Sequence, residues 1–175
     1  VENLLSITRI SGSEQTNIEK SPELIEEILG ECIANFKKRN SDVNLKVTIP
    51  DEPLMVNVDA MLIEQVIMNL LDNAAKHAEG MTELRLDVKC SGSRALVSVA
   101  DDGAGLDPAI IPVLFRGQID PADGKSYDSN RFRGIGLAAC QAIVTAHGGT
   151  ISAANRPEGG AVFSFTIPLE EEKEE

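Results

Sequence analysis

Two stretches of this chain alternate apolar and polar residues on both sides of a short turn. "TELRLDVKC" (82–90) meets "ALVSVAD" (95–101) across "SGSR", and "TISAANR" (150–156) meets "AVFSFTIP" (161–168) across "PEGG". Alternation places successive side chains on opposite faces of a strand, and two such runs flanking a glycine-containing turn predict a hairpin. Adjacent strand pairs favour antiparallel pairing, whereas single strands alternating with helices would need long parallel crossovers. The other apolar segments have helical spacing. The expected fold is therefore an α/β (α+β) two-layer sandwich: a mixed, mainly antiparallel sheet with helices packed on one face.

The helical segments follow from their apolar stripes and end residues. "SPELIEEILGECIANFKKRN" (21–40) predicts a helix capped by Ser21, with Pro22 in its first turn and Leu24, Ile25, Ile28, Cys32 and Phe36 facing the core. Glu23, Glu26 and Glu27 suit its positive end, and Lys37, Lys38 and Arg39 its negative end. "NLKVTI" (44–49) predicts a strand, with "PLMVNVD" (53–59) as its hairpin partner or a short extended segment. Asp59 caps a long helix running to about Lys76, and helix signals recur at "DPAIIPVLF" (107–115). A polar stretch from Gly117 to Arg133 is too long for a simple connection. "GIGLAACQAIVTAH" (134–147) predicts a helix opened by glycine and stopped by Gly148 and Gly149. His147 suits a C-terminal cap.

With 175 residues and 42% hydrophobic content, the chain can bury one substantial core, and with 3% aromatics and no Trp that core must be aliphatic. A net charge of −12 argues against a nucleic-acid surface. Three cysteines without CxxC spacing suit reduced thiols in a cytoplasmic protein, and no metal-ligand spacing joins them to the two histidines. No apolar run is long enough to span a membrane. The opening "VENLLSITRI" reads as the end of a longer helix, with Leu4, Leu5 and Thr8 at helical spacing. Residues 1–16 are thus expected to be an incoming helix end and linker, 17–169 the folded domain, and 170–175 an acidic tail.

Within the helix that Asp59 caps, "NLLDNAAKHA" (69–78) carries Asn69 and Asn73 on one side and Ile63, Ile67, Leu70, Leu71 and Ala74 on another, at about 100° per residue. Lys76 joins the polar side. The amides by themselves admit two readings. They form a water-facing stripe, or they supply oxygens to a magnesium ion whose other ligands are phosphates and waters, with Lys76 as a point charge on phosphate.

"DDGAG" (101–105) lies where a strand ends. Gly103 and Gly105 would let the backbone approach a flat ligand, and Asp101 could accept from an exocyclic amine. "RGIGLAA" (133–139) has Gly134 and Gly136 at the expected helix start, where free N–H groups favour phosphate. It also fits G-x-G-x-x-A, but no strand precedes it and no acidic residue follows at the dinucleotide-binding distance. A GxxxxGK[ST] phosphate loop is absent from the sequence.

In this order, "NLLDNAAKHA", "DDGAG" and "RGIGLAA" closely resemble the N, G1 and G2 boxes of the sensor histidine kinase catalytic ATP-binding domain (the HATPase_c domain of the GHKL superfamily). "LFRG" (114–117) is similar to its F box and "GGAVFSF" (159–165) to its final glycine box. The resemblance covers roughly residues 17–169 and is strongest to the potassium-responsive, KdpD-type sensor kinases, through "NRPEGGAVF", "GIGLAACQAIVTAHGG" and "FRG". It implies the Bergerat ATP-binding fold, in agreement with the strand pairing.

Position by position, the resemblance implies Asn73 as magnesium ligand, Asn69 in support of metal and phosphates, and Lys76 on a phosphate. His77 would stand near the adenine, and Asp101 would accept from the adenine amine, with Gly103 and Gly105 admitting the base. Phe115 would anchor a lid spanning Gly117 to Arg133, with Lys125, Arg131 and Arg133 as candidate charges. Gly134, Gly136 and Leu137 would meet the phosphate tail. The sequence departs from the pattern at Phe132, where a glycine is usual, at Ala161, where Thr is usual, and in lacking the second aromatic of the F box. These departures bear on the lid more than on nucleotide binding.

The implied activity is transfer of the ATP γ-phosphoryl, with magnesium, to a histidine on an upstream dimerisation domain, for relay to a response regulator. No acceptor motif surrounds His77 or His147. The implied setting is the cytoplasmic part of a homodimeric sensor anchored in the inner membrane. The alternatives are a nucleotide-binding interaction module without phosphotransfer and an anti-sigma-type serine kinase on the same fold.

Overall fold

The computed structural model describes residues 18–116 and 128–171, with the side chains of 128–135 outside that description. The helix expected near Leu4, Leu5 and Thr8 lies outside the described residues, as does 117–127. The described elements, in chain order, are β1 (Ser21–Leu24), α1 (Ile25–Arg39), β2 (Leu45–Thr48), β3 (Met55–Val58), α2 (Ala60–His77), β4 (Leu84–Ser91), β5 (Arg94–Asp101), a 3-10 turn (Ile111–Val113), α3 (Asp128–Ala146), β6 (Ile151–Asn155) and β7 (Ala161–Pro168).

Both expected hairpins form. The five-stranded sheet has the order β2-β4-β5-β7-β6, with β2 parallel to β4 and every other pair antiparallel. The alternation read from the sequence becomes rows across the sheet: Leu86 faces Val99 and then Phe163, and Val88 faces Val97, Phe165 and Ile151. These side chains form one core with Ile28, Leu29 and Phe36 of α1, Ile63, Ile67 and Leu70 of α2, and Leu137, Cys140 and Ile143 of α3. The helices thus cover one face, as expected. On the other face small polar side chains meet, such as Ser98 and Ser164 with hydroxyls 3.0 Å apart.

Three local expectations are corrected. Ser21 and Pro22 do not start α1; they belong to β1, which pairs antiparallel with β3, Ser21 opposite Val58. This two-stranded ribbon has room for a proline because an edge position needs no ladder donor. Leu24 stands at the N-cap without a side-chain bond, and the Ile25 N–H donates instead to the Leu54 carbonyl at 3.0 Å. Losing a side-chain cap costs about 1 kcal/mol. Full burial of Ile25 and of Phe36 contributes roughly 2–3 kcal/mol each and outweighs it. Accordingly "PLMVNVD" is extended but is not the hairpin partner of β2.

The helix expected at "DPAIIPVLF" shrinks to the single 3-10 turn, with Pro112 inside it. Finally, α3 starts at Asp128, six residues before Gly134, so Gly134 and Gly136 lie within the helix and not at its start. Asp128 and Ser129 are residues that favour helix starts, and the glycine signal concealed them. At the other end of the chain the Glu170 N–H donates to the Met55 carbonyl at 2.9 Å, tying the beginning of the acidic tail to β3.

Candidate functional site

Asp59 caps α2 as expected, accepting from the Leu62 N–H at 3.4 Å. The helix buries Ile63, Val66, Ile67, Leu70, Leu71 and Ala74, and this apolar stripe fixes where the amides go. Asn69 is half-buried, and its Nδ2 donates to Cys140 Sγ of α3 at 3.7 Å. The thiol in turn donates to the Val66 carbonyl at 3.9 Å. Burial pushes the Cys140 pKa up to about 12, against a smaller opposing effect of the Asn69 bond, so it is a neutral thiol able to fill both roles. The Asn69 NH2 is thereby turned toward α3, which leaves its oxygen as the end available to a ligand.

Asn73 is 9% exposed, and its buried Nδ2 has no hydrogen-bond partner. An unpaired buried amide costs about 1–3 kcal/mol. Either an acceptor brought by a ligand or a half-turn that presents Oδ1 to a cation relieves it. The donor set fits magnesium, a hard ion that accepts a few protein oxygens and completes its shell with phosphate and water. Among the described residues no three of His, Cys, Asp and Glu gather to hold a metal, so a cation here would draw the rest of its shell from the ligand and solvent. One turn further on, Lys76 is exposed and His77 half-buried.

Beside the end of α2 lies the loop that follows β5. The Ala104 N–H donates to the Glu79 carbonyl at 3.0 Å. A Cβ on Gly103 would meet that same oxygen at 2.9 Å and the Ala78 backbone at 3.2 Å, so only glycine allows this approach. Asp102 ties the loop further, its carboxylate accepting from the N–H groups of Thr82 at 2.7 Å and Glu83 at 2.9 Å and from the Thr82 hydroxyl. The Thr82 hydroxyl first, and then the backbone N–H groups, lower its pKa to about 2. The fold thus brings the end of the amide helix and the aspartate–glycine loop together.

Asp101 is 5% exposed. Its Oδ1 accepts from the Gly103 N–H at 2.9 Å and the Ala161 N–H at 3.3 Å. Among the described residues the bonds to this carboxylate go to Oδ1, leaving Oδ2 as the acceptor for a ligand donor.

Phe115 packs edge-on against Phe163, centroids 6.5 Å apart and planes at 79°, and so pins the chain where it enters 117–127. The side chains of Arg131 and Arg133, all of Lys125, and Phe132 as a side chain lie outside the described residues. Gly136 faces open space where a Cβ would stand, whereas Leu137 is 2% exposed and packs in the core. Leu137 therefore serves the core, and its side chain is not presented at the surface.

Several residues escaped the sequence reading. Asn155 uses its whole amide on Leu106, accepting from its N–H at 2.7 Å and donating to its carbonyl at 2.8 Å. Arg156 Nη1 donates to the Asp101 carbonyl at 2.8 Å. The sequence placed both only at the end of the strand "TISAANR", just before the "PEGG" turn. His147 does cap α3, its Nδ1 lying 2.7 Å from the Ile143 carbonyl, but its Nε2 also accepts from the Asp59 N–H at 3.1 Å. That acceptor role places the proton on Nδ1. Burial lowers the ring's pKa, helped by Lys20 and opposed by the Ile143 carbonyl and Asp59, so the ring is held neutral.

Residues 58–171 match the family model described as histidine kinase-, DNA gyrase B-, and HSP90-like ATPase. The chain is 39% identical to the sensor protein KdpD of Clostridium acetobutylicum over 97% of its own length and 19% of that protein's. It is thus similar to about a fifth of that relative. It is 32% identical to the sensor histidine kinase component HK1 of Mycobacterium tuberculosis, covering 81% of this chain and 79% of that one. Among solved structures it resembles the nucleotide-free catalytic domain of histidine kinase ThkA, with a TM-score of 0.73, 25% identity, and 86% of this chain and 96% of that chain covered.

Proposed function

Because this chain belongs to the histidine kinase-, DNA gyrase B- and HSP90-like ATPase family, among its sensor histidine kinase members, we propose that it binds ATP with magnesium and transfers the γ-phosphoryl group to a histidine nitrogen. The acceptor sits on an upstream dimerisation segment of a longer, homodimeric, membrane-anchored sensor, and the phosphoryl group passes on to a response regulator. The observation that carries this reading is Asn73, a buried amide with an unpartnered nitrogen on the helix beside the Asp101 loop.

Each residue has a task in it. Asp101 accepts from the adenine amine through Oδ2, and Gly103 and Gly105 let its loop close against Glu79 and Asn155. Asn73 and Asn69 would hold magnesium and the phosphates through their amide oxygens, and Lys76 would neutralise phosphate charge. Magnesium, when bound, spreads the charge of the transferring group. In the transfer a bond forms between the histidine nitrogen and the γ-phosphorus, the bond from that phosphorus to the bridging oxygen breaks, and ADP leaves. Asn69 favours phosphotransfer over hydrolysis. An amide takes no proton near neutral pH, so nothing at that position activates water, and catalysis rests on positioning.

Incubating the full-length sensor with γ-labelled ATP and magnesium tests the reading. Acid-labile, base-stable label supports it. Acid-stable label assigns a serine kinase instead, and binding without label assigns a nucleotide-binding module.

A further inference from the structure

The turn between β6 and β7 touches Asp101 at more points than a hairpin turn needs. Gly160, at φ +87°, lies so close that a Cβ there would fall 2.0 Å from the Asp101 carbonyl oxygen. Arg156 donates to that same oxygen at 2.8 Å, and the Ala161 N–H reaches Oδ1 at 3.3 Å. One residue before Arg156, Asn155 mimics a neighbouring strand, pairing both of its amide ends with the backbone of Leu106. Gly105, at φ +81°, could carry no side chain here, since a Cβ would stand 2.9 Å from Asn155 Oδ1. The loop 101–106 is therefore held at its beginning by Arg156 and at its end by Asn155.

We infer that Asn155 and Arg156 are positioning residues for purine selectivity: they set the height of the Asp101–Leu106 loop, and hence where Asp101 Oδ2 meets the base. The inference rests on Asp101 reading the adenine amine. A carboxylate accepts from that amine but repels the carbonyl oxygen that guanine carries at the same position. Discrimination by such a contact requires the oxygen to be placed within a few tenths of an ångström, because a hydrogen bond weakens steeply with distance and angle. Displacing the loop thus costs ATP its bond while GTP, which never had it, loses little.

The test is competition of ATP and GTP, with magnesium, against a fluorescent ADP analogue bound to the 175-residue chain, alongside melting temperature. Asn155→Ala and Arg156→Met are expected to weaken ATP about tenfold while GTP changes less than about twofold. Arg156→Lys, which keeps a donor, should restore most of the ratio. Phe36→Leu, a core change in α1, should lower the melting temperature and leave the ratio intact. Should Asn155→Ala fail to fold, Arg156→Met decides. A wild-type ATP/GTP ratio in the folded variants, or an equal collapse in Phe36→Leu, overturns the inference. A wild-type chain that does not prefer ATP, or one whose preference survives Asp101→Asn, overturns the reading of Asp101 itself.

Discussion

Nε2 of His147 accepts the backbone N–H of Asp59 at 3.1 Å, so one imidazole closes the end of α3 onto the start of α2. With Nδ1 bonded to the Ile143 carbonyl, protonation would turn an acceptor into a second donor facing a donor. The ring's folded pKa lies below the ordinary 6.5, chiefly through burial. The unfolded chain therefore binds the proton more readily, and this contribution to stability is complete above pH 6.5 and is lost as pH falls below it toward the folded value. His147→Ala should cost about 1–3 kcal/mol at pH 7.5 and remove part of the loss of melting temperature between pH 7.5 and 5. An unchanged pH slope in the variant would refute the assignment.

At Asn73, stability and binding are expected to move in opposite directions. Asn73→Ala removes a buried unpaired amide, so the melting temperature should hold or rise, while magnesium-dependent ATP affinity falls by at least about tenfold. Calorimetry and thermal melts measured on the same preparation check this. Undiminished affinity would take Asn73 out of the site.

Two glycines should respond differently to the same methyl group. Gly160→Ala drives a Cβ to 2.0 Å from backbone at positive φ, and should cost about 3 kcal/mol or more. Gly136→Ala meets open space inside a helix, and should stabilise by about 0.5–1 kcal/mol while weakening nucleotide binding if phosphate approaches there. Denaturant titrations give both signs, and a destabilised Gly136→Ala would contradict the packing described for α3.

Asp102 offers a test on the acid side. Its pKa is lowered from 3.8 to about 2, through the Thr82 hydroxyl and then backbone N–H bonds. Its contribution is present above pH 3.8 and disappears as pH drops toward 2. Asp102→Asn should flatten the acid limb of the stability profile and raise amide exchange at Thr82 and Glu83. Identical exchange in the variant would mean that the loop is held by other contacts.

Much of the fold was legible because its cues are local. The alternation of Leu84, Leu86 and Val88 against Arg85, Asp87 and Lys89 specified both the strand and its buried face. Asp59 specified the start of α2 by capping chemistry alone. The start of α1 was not legible in this way. Ser21 and Pro22 suit a helix start and an edge strand equally, and the choice fell to pairing with β3, more than thirty residues away. Likewise the glycines at 134 and 136 suggested a helix start that Asp128 already provides.

The sequence by itself determined which side chains could serve the site: Asn69, Asn73, Lys76 and Asp101, with glycines around them. Their spacing follows from helix and strand periodicity, which acts over a few residues. Only the tertiary structure decided how those groups are held. Asn155 closing on Leu106, Arg156 on the Asp101 carbonyl, Cys140 behind Asn69 and His147 on Asp59 all join residues 49 or more apart in the chain. No local preference specifies such contacts. They form because burying one apolar face of the sheet beneath the helices brings those backbone and side-chain groups together, where each must find a partner in place of water.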